Sequence, residues 1–479
     1  MKAFILLPQR TASPGIRRFS VSVQAYRDKN IAIVGGGAAG FYTAARLLAK
    51  TQDVNIDIFE QLPTPYGLVR FGVAPDHPEV KNCTTKFDQV SGSPRVRYFG
   101  NIQVGRQLAL EKLRSAYDGV VLSYGASEDR KLGIPGEDGA DGKWGVVPAR
   151  QFVAWYNGLP EAQGLDVDLK SFDRVVIVGH GNVALDCARI LLTEPSELAS
   201  TDITAHALET LRGSNVRHVE MIGRRGPLQV AFTTKELREM TKIPALDFIC
   251  DRDLVASECA KWAEWLDASR SLKRMMDLLT KHAVNAGHSG RKSFTLSFLK
   301  SPVEVLADQA APQRIRFQIN RLEGPVDAAR AVGTGEFVDV PCGLILRSIG
   351  YASTPLDGAP FDGRRKIIPN IAGRATDNGK LVPGLYAAGW VKRGPVGVIA
   401  TTMQDAYRTA DAVIMDLVQA QGQPREAIDQ MLSESGVLSS CVTNAQWKRL
   451  EAFEAEAGQS TGKPREKVTN IQQMLSIVK

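Results

Sequence analysis

Asn30-Ile31-Ala32-Ile33-Val34-Gly35-Gly36-Gly37-Ala38-Ala39-Gly40 is the stretch whose reading decides the fold. Its first half is an apolar, largely β-branched run of the kind that forms buried strands. Its second half is Gly35-x-Gly37-x-x-Gly40, and a helix-forming stretch from Phe41 to Lys50 follows. A second apolar run, Val54 to Phe59, ends at Glu60, twenty residues past Gly40. Strand, glycine turn, helix, strand and acid in that order make a dinucleotide-binding unit. Gly35 permits the tight turn, Gly37 lets backbone approach a pyrophosphate, and Gly40 lets helix pack on strand. The helix N-terminus offers free N–H groups and a positive dipole end to phosphates. Glu60 can accept hydrogen bonds from a ribose diol.

The pattern returns much further along. Arg174 to Val178 reads as a strand, Gly179-His180-Gly181-Asn182-Val183-Ala184 is GxGxxA, and a helix runs to about Leu192. The next strand, Val216 to Ile222, ends in Gly223-Arg224-Arg225-Gly226. Two guanidiniums stand where the first unit has an acid. Arginine makes bidentate, charge-assisted bonds to phosphate, so Arg224 and Arg225 favour a 2′-phosphate and hence NADP(H). Glu60 repels that phosphate, which leaves FAD (or NAD) to the first site.

Beyond the second unit, Val382 to Trp390 reads as another strand, and a helix begins near Gly397-Val398-Ile399. Its dipole can stabilise negative charge on a reduced flavin. The expected fold is therefore α/β, with two Rossmann-like dinucleotide-binding domains, the NADP domain inserted into the FAD domain. The boundaries this predicts are 28–130 for the first part of the FAD domain, 131–352 for the insertion and 353–424 for the return. Residues 130–150, rich in Gly, Pro and charge, read as a crossing between domains. Ser293–Leu299, Arg314–Asn320 and Gly343–Ile349 read as strands of a β-meander returning to the sheet. Residues 425–479 read as a helical, polar appendage without chemistry.

Composition bounds the rest. A chain of 479 residues with 44% hydrophobic and 23% charged content is ordinary for two or three globular domains. No apolar run approaches the ~18 residues that span a bilayer. Of the formal charge of +7, Lys2, Arg10, Arg17, Arg18 and Arg27 supply five, and residues 1–27 hold no acid. That segment reads as a mitochondrial presequence, with Arg17-Arg18-Phe19-Ser20 as a cleavage site. The remainder is nearly neutral and carries no nucleic-acid motif, so no nucleic-acid partner is expected. Cys83, Cys187, Cys250, Cys259, Cys342 and Cys441 form no CxxC. Thiol metal sites, iron–sulfur clusters and a redox dithiol are thereby disfavoured, and no metal is expected.

Three further features carry chemistry. Pro63 to Glu79 is too rich in Pro and Gly for a long helix and reads as a structured wall beside a cofactor. His77 within it can shuttle a proton near neutral pH. Lys235 to Met240 continues as a helix whose Glu236 lies either on the surface or at the nicotinamide end of the second cofactor. Arg270, Lys273 and Arg274 share one helix face, which either is simply solvated or steers an acidic partner.

These motifs together resemble the mitochondrial adrenodoxin reductase family, NADPH:ferredoxin oxidoreductases among the glutathione-reductase-like flavoproteins. The resemblance runs from about Ile31 to beyond residue 410. It is carried by Tyr66-Gly67-Leu68-Val69-Arg70-Phe71-Gly72-Val73-Ala74-Pro75-Asp76-His77-Pro78-Glu79-Val80-Lys81-Asn82, by Gly181-Asn182-Val183-Ala184-Leu185-Asp186, by Gly223-Arg224-Arg225-Gly226-Pro227-Leu228-Gln229-Val230-Ala231-Phe232-Thr233, and by Gly389-Trp390-Val391-Lys392-Arg393-Gly394-Pro395. It implies FAD contacts at Ala39, Glu60, Leu68, Val104, Trp390 and Gly397–Ile399. It implies NADPH contacts at His180, Gly181, Asn182, Val183, Arg224, Arg225, Glu236 and Gly397. His77 and Asp186 are implied in the hydrogen-bonded surroundings of flavin and nicotinamide. The family commonly has Gln where His180 stands, so protonation of His180 is expected to tune NADPH affinity. The implied activity is hydride transfer from NADPH to FAD, then one-electron delivery to an acidic [2Fe–2S] ferredoxin serving iron–sulfur, haem or P450 pathways. Docking is expected near Arg270, Lys273 and Arg274. The implied location is the mitochondrial matrix, with at most peripheral inner-membrane association. The rivals are a glutamate-synthase-type reductase with another acceptor and a module that binds FAD and NADP without turnover.

Overall fold

The structure is a computed structural model that describes residues 28–139, 145–285, 287, 291–306, 314–418, 420 and 422–479. The presequence expected over residues 1–27 lies outside the described residues.

Two sheets carry the chain. The first has seven strands, in the spatial order Asn370–Ile371, Arg374–Asp377, Lys380–Ala387, Gly119–Leu122, Lys29–Val34, Val54–Phe59, Val96–Phe99. Lys29–Val34 is buried at every position and pairs in parallel with both Val54–Phe59 and Gly119–Leu122. A strand buried along its whole length needs cover on both faces. The helices Ala38–Lys50 and Ile399–Leu417 provide it on one face, packing side by side over Ile31, Ile33, Ile56 and Ile58. Leu385–Ala387 runs parallel to Val120–Leu122, so a strand from far along the chain completes the first sheet.

The second sheet is wholly parallel. Its order is Val147–Pro148, Leu344–Arg347, Arg174–Val178, His218–Ile222, Lys292–Ser297, Leu246–Cys250. All of its strands fall in sequence between Leu122 and Asn370, so this unit is inserted into the first. Glu128–Asp129 and Tyr351–Ala352 pair antiparallel, which lays the outgoing and returning crossings side by side.

Two expectations need correction. The strands near Ser293 and Gly343 are not parts of a meander. Lys292–Ser297 and Leu344–Arg347 belong to the parallel sheet, and the meander is a separate three-stranded sheet of Lys300–Leu306, Arg314–Glu323 and Arg330–Pro341. A tight turn at Ser297–Lys300, with Leu299 at φ +56°, divides what reads as one strand into two sheets.

The segment after 425 is likewise no appendage. Helix Asn444–Gln459 inserts Trp447 and Leu450, both fully buried, into the core around Tyr66 and Phe87, and Met474 and Val478 join them. Its charged residues mask the buried stripe, and Glu454 among them is itself fully buried and paired with Arg70. Among the described residues no helix is long and apolar enough to cross a membrane.

Candidate active site

The two glycine turns have the same construction. Gly35 has φ +108°, and a Cβ there would lie 2.7 Å from the Ser123 backbone. Gly179 has φ +124°, and a Cβ there would lie 2.2 Å from the Ser348 carbonyl oxygen. Gly40 presses on the first turn, since a Cβ on it would stand 2.2 Å from the Gly35 carbonyl oxygen. These glycines are demanded by the protein itself. Gly37 and Gly181 differ: a Cβ at either would meet no protein atom within 4 Å. Each is the cap of a helix, Ala38–Lys50 or Asn182–Leu192, and neither cap makes a side-chain hydrogen bond. Open backbone at an uncapped helix start fits a diphosphate in both places.

Around the first turn, the buried Glu60 accepts from Gly36 N at 2.8 Å and from Leu62 N at 3.1 Å. Burial raises its pKa, and those backbone bonds oppose the rise. The Tyr66 backbone N–H donates to the Gly36 carbonyl at 2.7 Å, which ties the following wall to the turn. Leu68 on that wall is 40% exposed, while Val104 is buried behind it. Across from them, Gly389 abuts Ala39: a Cβ on Gly389 would lie 2.5 Å from that of Ala39. Its N–H donates to Asp405 at 2.7 Å, and Trp390 stacks obliquely against Tyr351 at 5.4 Å. Gly397 takes φ +87°, and the exposed Val398 caps helix Ile399–Leu417. Exposed apolar side chains beside an uncapped helix and a glycine turn fit a flavin dinucleotide.

At the second turn, Arg224 is exposed and Arg225 half-buried, and neither meets a carboxylate within 4 Å among the described residues. Asn320 of the meander donates to the Arg224 carbonyl at 2.9 Å and to Ser301 at 2.8 Å, bracing the arginine turn. The Thr233 N–H donates to Asn182 Oδ1 at 2.8 Å. Val183 is half-buried on the first turn of the helix.

His180 departs from expectation. Its ring turns into the protein, against Gly223 and Phe298, and donates from Nε2 toward the Met221 carbonyl at 3.3 Å. Desolvation pulls its pKa down to about 4. It is neutral at physiological pH, so the structure contradicts a role for its protonation in holding phosphate. A β-branched strand end and a glycine at 223 leave a ring-sized gap, which sequence spacing does not reveal.

Between the two turns lies a charged cluster contributed by both units. His77 Nε2 stands 2.6 Å from Glu239 Oε2 and 3.9 Å from Glu236 Oε2. The buried Arg189 meets Asp76 at 2.6 Å, Asp186 at 2.7 Å, Glu236 at 3.5 Å and Glu239 at 3.7 Å. His77, Asp186 and Glu236, picked out from the sequence, thus come together around an arginine that was not. Burial pushes Glu236 up to about 7, with Asp186 adding to the rise and His77 and Arg189 opposing it. Burial also raises Asp186. Burial would raise Asp76 too, but Arg189 outweighs it and holds that carboxyl below its usual range. Arg189, Glu239 and Asp76 were missed in sequence. The available signal was helical spacing, since Arg189 follows Asp186 and Glu239 follows Glu236 by one turn. An arrangement of this kind can orient a ring, exclude water and hold a proton at Glu236.

Arg270, Lys273 and Arg274 are all exposed on helix Arg270–His282, which packs against the helix Thr234–Met240 that bears Glu236. Lys273 pairs with Asp267, so the two arginines hold most of the free charge. All six cysteines are free.

Residues 29–242 match the pyridine nucleotide-disulphide oxidoreductase family. The chain is 47% identical to the mitochondrial NADPH:adrenodoxin oxidoreductase of Homo sapiens, covering 94% of this chain and 91% of that one. It is 45% identical to the protein of the same name from Salvelinus fontinalis, over 97% and 94% of the two chains. Among solved structures, Mycobacterium tuberculosis FprA in complex with NADPH superposes with a TM-score of 0.87 at 39% identity, covering 94% of this chain and 100% of that one. Such identity over nearly the full length places the chain in one family. The chain belongs to the NADPH:adrenodoxin oxidoreductases.

Proposed function

We propose that this chain takes a hydride from NADPH held at Gly181–Val183, Arg224 and Arg225, and passes electrons through FAD held at Gly35–Gly40 and Glu60 to an adrenodoxin-type [2Fe–2S] ferredoxin. The observation that carries the reading is the cluster of His77, Arg189 and Glu236, which ties the unit bearing the first glycine turn to the unit bearing the second. Bound FAD supplies a ring that accepts a hydride and gives up electrons singly.

The protein's own work is alignment. Glu60 selects a ribose and rejects a 2′-phosphate. Arg224 and Arg225 do the reverse. Arg189 draws Asp76 of one unit to Asp186, Glu236 and Glu239 of the other and so sets the cleft between them. His77 stands 2.6 Å from Glu239 and 3.9 Å from Glu236, and burial raises Glu236 to about 7, so that this carboxyl can hold or release a proton near neutral pH. Leu68 and Trp390 keep water from the ring. No covalent step on a side chain is needed. Residues 1–27 and the relatives' names support action in the mitochondrion, and we infer the matrix as the compartment.

Arg270 and Arg274 present the acidic ferredoxin with a cationic face close to the cluster. Arg270→Glu with Arg274→Glu should slow ferredoxin reduction about tenfold or more at low ionic strength and flatten its salt dependence. Ferricyanide reduction should stay as in the unaltered chain. Equal loss with both acceptors would place the damage at the flavin and refute the docking face.

A further inference from the structure

The span Glu454–Lys467 grips both dinucleotide units from outside the cleft. Asp202, on the inserted unit, is 9% exposed, and Lys467, from the C-terminal segment, is 4% exposed. Lys467 Nζ stands 3.1 Å from Asp202 Oδ2 and donates to the Asp202 carbonyl at 3.0 Å. Lys81, on the first unit and four residues beyond His77, reaches the same carboxylate, at 2.6 Å from Oδ1 and 2.8 Å from Oδ2. At Asp202 the first unit, the inserted unit and the C-terminal segment therefore meet on one anion.

Two further contacts lie alongside. Glu466 Oε1 accepts from the Ala205 N–H at 2.9 Å, and Lys463 donates to the Ile203 carbonyl. At the other end of the span, Glu454 is fully buried. It pairs with Arg70 at 2.5 Å and accepts from Val468 N at 2.9 Å. Arg70 belongs to the turn Leu68–Phe71, the wall expected beside the flavin, and its guanidinium lies 5.2 Å from the Trp447 ring centre. One short span thus holds the flavin wall with one carboxylate and the inserted unit with a lysine. Enclosed charges of this kind persist only while their partners are present.

We propose that Glu454–Lys467 is a strap that fixes the cleft between the two dinucleotide units, with Asp202, Lys81 and Lys467 as positioning residues for hydride transfer. The proposal rests on the reading of the site given above. None of these three residues belongs to the cluster around Arg189, and all lie outside the two glycine turns. Their effect is therefore on how the two rings face one another and not on how tightly either nucleotide is held.

The test is anaerobic stopped-flow reduction of the FAD-loaded full chain by NADPH, with Asp202→Asn, Lys467→Met and Lys467→Arg. Three quantities are read: the limiting bleaching rate, the NADPH Kd, and the long-wavelength charge-transfer absorbance of stacked rings. Asp202→Asn should lower the limiting rate about tenfold to a hundredfold and weaken the charge-transfer band, with Kd shifted less than about threefold. Lys467→Met, which spares the Lys81–Asp202 pair, should do the same more weakly, and Lys467→Arg should restore most of the rate. An Asp202→Asn chain with unaltered rate and band overturns the strap while leaving the site reading intact. Loss of FAD or of the folded chain in both Asp202→Asn and Lys467→Met also overturns it, since the strap would then hold the fold and not the cleft. Failure of NADPH to bleach the unaltered chain overturns the site reading and the strap together.

Discussion

The turn at Gly35–Gly40 and the turn at Gly179–Ala184 are nearly the same object in backbone and opposite objects in charge. Each begins with a glycine at positive φ wedged against a neighbouring strand end, and each continues with a glycine that faces open space at an uncapped helix. Then they diverge. The first leads to a carboxylate that is buried and fastened to the turn by Gly36 N and Leu62 N. The second leads to two guanidiniums that meet no carboxylate among the described residues. In the function proposed, the shared glycines hold a dinucleotide, and the group at the end of the next strand selects which one, because it lies nearest the 2′ position. A buried, fastened acid and arginines without a carboxylate partner among the described residues suit a cofactor that stays and a cofactor that exchanges.

The largest expected effect separates the two kinds of glycine. Gly40→Ala forces a Cβ to within 2.2 Å of the Gly35 carbonyl, so the chain should fail to give folded, yellow protein. At Gly37 an added Cβ would meet no protein atom within 4 Å, so Gly37→Val should fold while losing FAD, because its branches enter the space for the pyrophosphate. Circular dichroism and flavin absorbance of the two purified variants check this. A folded but colourless Gly40→Ala, or a yellow Gly37→Val, breaks the distinction.

The next effect lies at the arginines. Arg224→Ala with Arg225→Ala should cost about 2–4 kcal/mol of preference for NADPH over NADH, roughly 30- to 700-fold in the ratio of kcat/KM. An unchanged ratio would show that the second turn is not the NADP site. FAD content should not change, since the first turn lies elsewhere.

The smallest effect concerns Glu236. Its pKa is raised to about 7 in the folded chain by burial and then by Asp186. An ordinary Glu ionises near ~4.3. The raised value means that stability is fully present below the unfolded pKa and is lost as pH rises through about 7. Above that point Glu236 adds its charge to the acidic side of the cluster around Arg189. Glu236→Gln should flatten the fall in Tm between about pH 4.5 and pH 7 by about 1–2 °C. A parallel pH profile in the variant would assign the titration to another member of the cluster.

Much of this was legible in the sequence for a physical reason. Glycine turns and strand–helix alternation are local, so Gly35, Gly37, Gly179, Arg224 and Arg225 stand out in a short window. The insertion was legible too, because a second complete glycine turn stands between the first one and the late apolar strand at Val382–Ala387, which pairs with Val120–Leu122. What stayed hidden depends on approach in three dimensions. Arg189 looks like an ordinary helix residue until Asp76 arrives from the other unit. Trp447 and Glu454 look like parts of a polar helix until the core closes on them. The inward turn of His180 follows from the gap left by Gly223, forty-odd residues on. The meander was misread because the break at Leu299 is a backbone kink with no Gly or Pro to mark it.

The most direct test of the whole account is the rate of cytochrome c reduction by the chain lacking residues 1–27, with NADPH or NADH, with and without a mitochondrial [2Fe–2S] ferredoxin. The account predicts a large ferredoxin-dependent rate with NADPH and little with NADH. Rapid flavin bleaching by NADPH without any ferredoxin-dependent rate would contradict it and send the electrons to another acceptor.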